Sequence, residues 1–197
     1  MIRIFINLTL ILLAEGAWLY MFIGKDKNLL STKGLRSLRY FTVLSNHFVA
    51  ISALLWLIKG NHYTEWIKMI AMGEIGVTFL VTALYLGFLY GHKNMYAGAN
   101  LHLHMSVPLL CFIEYLFFCK EEFLFNEFLF IWIPLLLYAC FYIYFVMKYG
   151  RKTEKETYDF YGFFTWGVKG FLLIALVLFI VSVGFVHLLD YFRQFIL

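Results

Sequence analysis

Apolar stretches about long enough to cross a bilayer recur six times along this chain of 197 residues, separated by short polar connections. Inside hydrocarbon every backbone N–H and C=O must find its partner within the protein, which leaves helices or a closed barrel. Continuous apolar runs of about 18 to 24 residues match the ~20 residues that a membrane helix needs, whereas a barrel strand takes roughly half that. The expected fold is therefore all-α, a polytopic membrane protein built as a six-transmembrane-helix bundle. Its helices are predicted near residues 5–23, 40–58, 67–90, 101–119, 128–147 and 168–189. With 63% hydrophobic and 14% charged residues, two prolines and no internal repeat, residues 1–197 read as one integral membrane domain. The first apolar segment lacks a small-residue cleavage site behind it and reads as a retained helix.

Six spans place both termini on one side, and the distribution of Lys and Arg says which. Eleven of the sixteen basic residues lie in loops 24–39, 91–100 and 148–167 or at their edges, and five on the opposite side. These three loops are expected to be cytoplasmic, in a plasma membrane. The net charge of +4 then reflects topology and attraction to anionic lipid, with no nucleic-acid signal. Cys111, Cys119 and Cys140 form no CxxC or CxxCH pattern and read as small apolar fillers.

The informative residues are polar groups set inside apolar segments, because each must face protein or trapped water. Asn100 to Glu114, NLHLHMSVPLLCFIE, holds two histidines, a proline and a carboxylate. Pro108 lacks the N–H that would reach the His104 carbonyl, so a kink is expected there, and a second at Pro134. Segments two and four both start on the basic side, which puts Thr42 and His104 at similar depth at ~1.5 Å per residue. Ser45 and Asn46 continue the polar stripe below Thr42. Glu15 and His47 each lie about eight residues from the basic side, which suggests a buried pair. Glu74 and Glu114 lie nearer the other side at a common level, where two carboxylates would share a proton. No metal site is expected, since His102 and His104 are too far along their segment from Glu114. His102 has no evident partner. The aromatic segment Tyr158 to Trp166 suits interfacial anchoring, or a lid over the Thr42 and His104 entrance.

A hydroxyl activated by a histidine is the minimal set for nucleophilic attack on an ester, with Ser45, Asn46 and helix N-terminal N–H groups to support the oxyanion. The same residues also fit a non-enzymatic lipid-binding protein, or a small-solute transporter with a protonatable polar cavity coupled through Glu15, Glu74 or Glu114. A b-type haem or quinone electron carrier could draw axial ligands from His47, His104 and His187, although these are staggered in depth. No cofactor is required by the first two readings.

RYFTVLSN at Arg39 to Asn46, followed by NLHLHMSVP and the embedded acid Glu114, resembles the family of androgen-induced integral membrane proteins and its bacterial six-helix relatives. The resemblance implies an intramembrane threonine hydrolase of fatty acid esters of hydroxy fatty acids. Its nucleophile, in a W-K-x-L-T-type motif, falls on Thr42, and its essential histidine, the second of an N-H-x-x-H motif, on His104. Asn100 matches the asparagine of that motif, while Leu101 replaces the first histidine. The spacing HMSVP is that of the bacterial relatives. The late Y-P-F-x-[DE] motif survives only as YGFFT, Tyr161 to Thr165, without its proline or its acid. The expected partners are membrane lipids, including a fatty acyl ester substrate.

Overall fold

The computed structural model describes residues 1–23, 33–151 and 158–196. These form an all-helical bundle of six helices long and apolar enough to cross a membrane: α1 (Ile2–Tyr20), α2 (Phe41–Lys59), α3 (His62–Leu86), α4 (Ala99–Phe118), α5 (Phe125–Tyr149) and α6 (Phe163–Ile196). The chain is a multi-pass membrane protein by this architecture. Of the basic loop residues, Lys25, Lys27, Lys152 and Lys155 lie outside the described residues.

The helices begin and end where local chemistry allows. Gly60 closes α2 in the left-handed region at φ 53°, a conformation that costs glycine nothing. Asn61 then opens α3 with a capping box: its side chain accepts from the Thr64 N–H, and the Thr64 hydroxyl accepts from the Asn61 N–H. This two-residue hinge starts α3 five residues before the expected position, because the cap lies upstream of the apolar run. Glu65 and Lys68 are consequently helical and buried rather than in a loop or at its edge.

α3 is the central helix. It packs against α2, α4, α5 and α6, and 67% of its apolar window is buried, against 17% for α6. Two glycines permit this enclosure: a Cβ at Gly73 would come within 2.5 Å of the Ile131 side chain, and one at Gly76 within 2.7 Å of Phe185. Around it Leu10, Val49, Ala53, Met69, Met72, Ile75, Val107 and Ile131 are almost wholly buried. The outward faces of α5 and α6 carry exposed Leu137, Met147, Leu173 and Ile180, as lipid contact requires.

Two helices widen their winding. α3 ends in a π-helical turn over Thr82–Leu86, and α4 begins with another over His102–Ser106. In α4 the Val107 N–H reaches back five residues to the His102 carbonyl, one position before Pro108, which has no N–H to continue an α-helical ladder. The expected irregularity at Pro108 is thus taken up by a wider turn. Near Pro134 the change goes the other way, to a 3₁₀ turn over Leu129–Ile131 just ahead of it.

Candidate functional site

The basic-loop end of the bundle holds a cleft of about 780 Å³ between α1, α2, α4 and the segment before α6. Thr42, Asn100 and His104 all line it, together with Arg36, Arg39 and Tyr161. The structure therefore brings the residues of the two sequence motifs to one cavity.

Thr42 is the second residue of α2, where the backbone N–H groups lack partners within the helix. Tyr40, at the cap position, supplies no side-chain cap. Two distant tyrosines do so instead. The Tyr138 hydroxyl accepts from the Phe41 N–H at 3.1 Å and donates to the Arg39 carbonyl at 2.9 Å. The Tyr161 hydroxyl is in polar contact with the Phe41 and Thr42 backbone and with the Thr42 side chain, and burial pushes it up to about 12. It stays a neutral phenol at physiological pH. Thr42 also borders a small cavity of about 60 Å³ in the bundle, shared with Thr78, Thr82 and Tyr142.

His104 lies in the π turn of α4, and its Nδ1 forms a 2.8 Å hydrogen bond with the Thr82 hydroxyl at the π turn of α3. The two wide turns thus meet side chain to side chain. With Nδ1 engaged, Nε2 is the nitrogen left for chemistry in the cleft. Thr82 extends the Glu74 and Thr78 stripe by one further turn, a signal present in the sequence at spacing i+4. His102, two residues away, borders a different groove beside Leu12, Gly16 and Ala17.

Asn46 and Ser45 do different work from that expected of them. The Asn46 amide donates to the Thr42 carbonyl at 2.7 Å and to the Leu103 carbonyl at 3.0 Å, so both its hydrogens are committed to tying α2 to the α4 turn. It has no donor left for an oxyanion. Ser45 hydrogen bonds Thr78 at 2.7 Å and the Thr42 carbonyl at 3.0 Å, and is likewise structural. Tyr161 and Asn100 are among the donors that line the cleft, with Arg36 and Arg39.

The segment Tyr158 to Trp166 is folded as a cap. Asp159 organises it, accepting from the Tyr142 hydroxyl at 2.6 Å, the Phe164 N–H at 3.3 Å and Arg151 at 3.1 Å. Tyr161 and Phe164 are buried against Tyr142 and Phe171, and Thr165 and Trp166 are exposed. Phe160 and Tyr161 of this segment line the cleft, while Trp166 points outward. An acid is present on this loop, at Asp159 rather than at Thr165.

No family model, curated protein or solved structure matches this chain. The site rests on its own geometry.

The remaining polar residues fall into separate places. Glu15 and His47 meet at 2.8 Å, with Trp18 edge-on to the imidazole at 4.7 Å. Glu114 and Glu74 do not share a proton. Glu114 accepts from Arg3 at 2.6 Å and lies 3.0 Å from Lys68, while Arg3 also pairs with Glu65 at 2.6 Å. Asn7 binds Lys68, and Trp56 donates to Glu65 at 2.8 Å with the Arg3 guanidinium 4.2 Å above its ring. Both Glu74 oxygens are buried without a hydrogen-bond partner among the described residues. α3 starts well before its apolar run, so Glu74 lies near mid-helix, whereas Glu114 sits in the charged set at the outer end of the bundle, and the two carboxylates do not share a level. The histidines of the haem alternative are equally dispersed, His47 on Glu15, His104 on Thr82 and His187 between Phe125 and Phe128.

Proposed function

We propose that this chain is an intramembrane lipid-ester hydrolase in which Thr42 is the nucleophile and His104 the base. The observation that carries this reading is that both side chains line one 780 Å³ cleft while His104 is fixed from behind by Thr82. With the Nδ1–H donating to Thr82, the Nε2 lone pair faces the reaction. Thr42 Oγ attacks the acyl carbonyl and its proton passes to Nε2. The departing alcohol takes that proton, leaving an acyl-threonine. Water then attacks, giving up a proton to Nε2, and the fatty acid leaves as the Thr42 hydroxyl is restored. On this reading Asn100 and Tyr161, which line the cleft, donate to the oxyanion.

Arg36 and Arg39 at the cleft suit an acyl carboxylate or an anionic headgroup. This accords with the resemblance to the androgen-induced membrane proteins, with fatty acyl esters as substrate and membrane lipids as partners. On the same reading the basic loops face the cytoplasm across a plasma membrane.

A fluorophosphonate probe tests the proposal. Purified protein is expected to label at Thr42, and Thr42→Ala to lose the label entirely. His104→Ala should slow labelling by about 10² or more with unchanged helical content, the usual contribution of a general base. Equal labelling of wild type and both variants would overturn it.

A further inference from the structure

Thr42 stands between two spaces of opposite character. On one side is the 780 Å³ cleft with Arg36 and Arg39, and on the other the 60 Å³ cavity, whose wall is aliphatic and aromatic apart from its hydroxyls. Leu86 and Tyr161 border both spaces as well. An ester held at Thr42 therefore meets a polar space and an apolar one. At ~30 Å³ for a water-sized group, the cavity holds only the carbons next to the reacting carbonyl. A longer chain needs an exit.

α5 and α6 supply one. They meet at two levels: the Trp132 indole N–H donates to the Phe179 carbonyl at 3.0 Å, and the Tyr142 ring stacks on Phe171 with centroids 5.9 Å apart. Between these contacts the two helices carry Ala139 and Ala175, both lining the cavity and both partly exposed. Small side chains at a helix interface usually let the backbones close on each other. Here the two alanines border open space instead. Thr42 lies in the first turn of α2, whereas Ala139 and Ala175 lie ~15 and ~12 Å along α5 and α6 from the ends on that side, at ~1.5 Å per residue. A chain running from Thr42 to this gap descends from the membrane interface into hydrocarbon, as the acyl chain of a bilayer lipid runs from its ester.

We propose that the gap between α5 and α6 at Ala139 and Ala175 is a lateral window for the acyl chain of the substrate, whose carbonyl sits at Thr42 and whose alcohol occupies the cleft. This rests on the reading of Thr42 as the nucleophile. The chain stays in the bilayer while its ester is cleaved, and the free acid leaves between the same two helices. The width of the window then sets which acyl groups react.

Two fluorophosphonates, with ethyl and dodecyl chains on phosphorus, test this on the protein in lipid nanodiscs. In each, Thr42 Oγ displaces fluoride with its proton passing to His104, and the alkyl chain stands in for the acyl chain. Ala139→Trp and Ala175→Phe are each expected to lower the ratio of dodecyl to ethyl labelling rates by at least tenfold. An unchanged ratio in both overturns the window. Should neither variant fold, wild-type protein is irradiated with palmitate carrying a mid-chain diazirine. The carbene left after loss of dinitrogen inserts into a neighbouring C–H bond. Adducts at Ala175 or Leu178, which line the cavity, support the window, and adducts confined to outward residues such as Leu173 overturn it. The palmitate arm involves no chemistry at Thr42. Absence of fluorophosphonate labelling in the wild type overturns ester hydrolysis, and the palmitate adducts then decide the window by themselves.

Discussion

The two ends of this bundle hold polar groups in opposite ways. At the end away from the basic loops, Arg3, Glu65, Lys68 and Glu114 satisfy one another across α1, α3 and α4, with every charge within 3.0 Å of an opposite one. At the basic-loop end, Thr42 and His104 are braced by neutral partners and open on a cleft. Fully paired charges fix helix positions, and removing one leaves another stranded in a low dielectric. Neutral hydroxyl and imidazole contacts bind less tightly than paired charges. One end sets the architecture, and the other uses it.

The largest effect that this contrast predicts comes from Glu114→Leu, which leaves the buried Lys68 without its carboxylate and Arg3 with Glu65 alone. It should lower stability by about 3–5 kcal/mol, read as a fall in the thermal unfolding midpoint by circular dichroism in detergent. Thr42→Ala in the same assay should change little. Equal losses in the two variants would break the division between the ends. A smaller effect is expected from Thr82→Val, which removes the brace behind His104 without touching the cleft. Labelling at Thr42 should slow by about tenfold, equivalent to ~1.4 kcal/mol, with the unfolding midpoint nearly constant. The smallest is the coupling between Glu15 and His47, both partly exposed. A double-mutant cycle of Glu15→Leu and His47→Phe should give about 0.5–1 kcal/mol, and additive losses would show the pair to be incidental.

Depth was readable from the sequence only where the helix starts were, and direction was not. Counting residues from the basic side places Thr42 beside His104 and Glu15 beside His47, and the structure brings each pair to a common cavity or contact. The same count levels Glu74 with Glu114, yet α3 starts five residues before its apolar run, so Glu74 lies near mid-helix while Glu114 sits in the charged set at the outer end, and the two also face different neighbours because facing depends on how each helix is turned. The π turns change that facing locally, so a 3.6-residue period carried through His102–Ser106 misplaces the side chains that follow. Glu65 and Lys68 were missed as buried groups because they precede the apolar run that marks α3. Tyr161 and Asp159 lie in a loop without periodicity, and only the tertiary fold shows that they cap α2 and organise the segment before α6.

The central position of α3 also bears on how the protein is made. Membrane helices emerge from the ribosome in order, so α3 reaches the bilayer before α4, α5 and α6 exist to surround it. Its Glu65 can be met at once by Arg3 and Trp56, and its Lys68 by Asn7, all supplied by α1 and α2. Glu114 arrives later and completes a set already assembled. The first three helices therefore form an insertion intermediate whose charges are largely provided for, and the nascent chain need not hold α3 outside the membrane while it waits for its remaining neighbours.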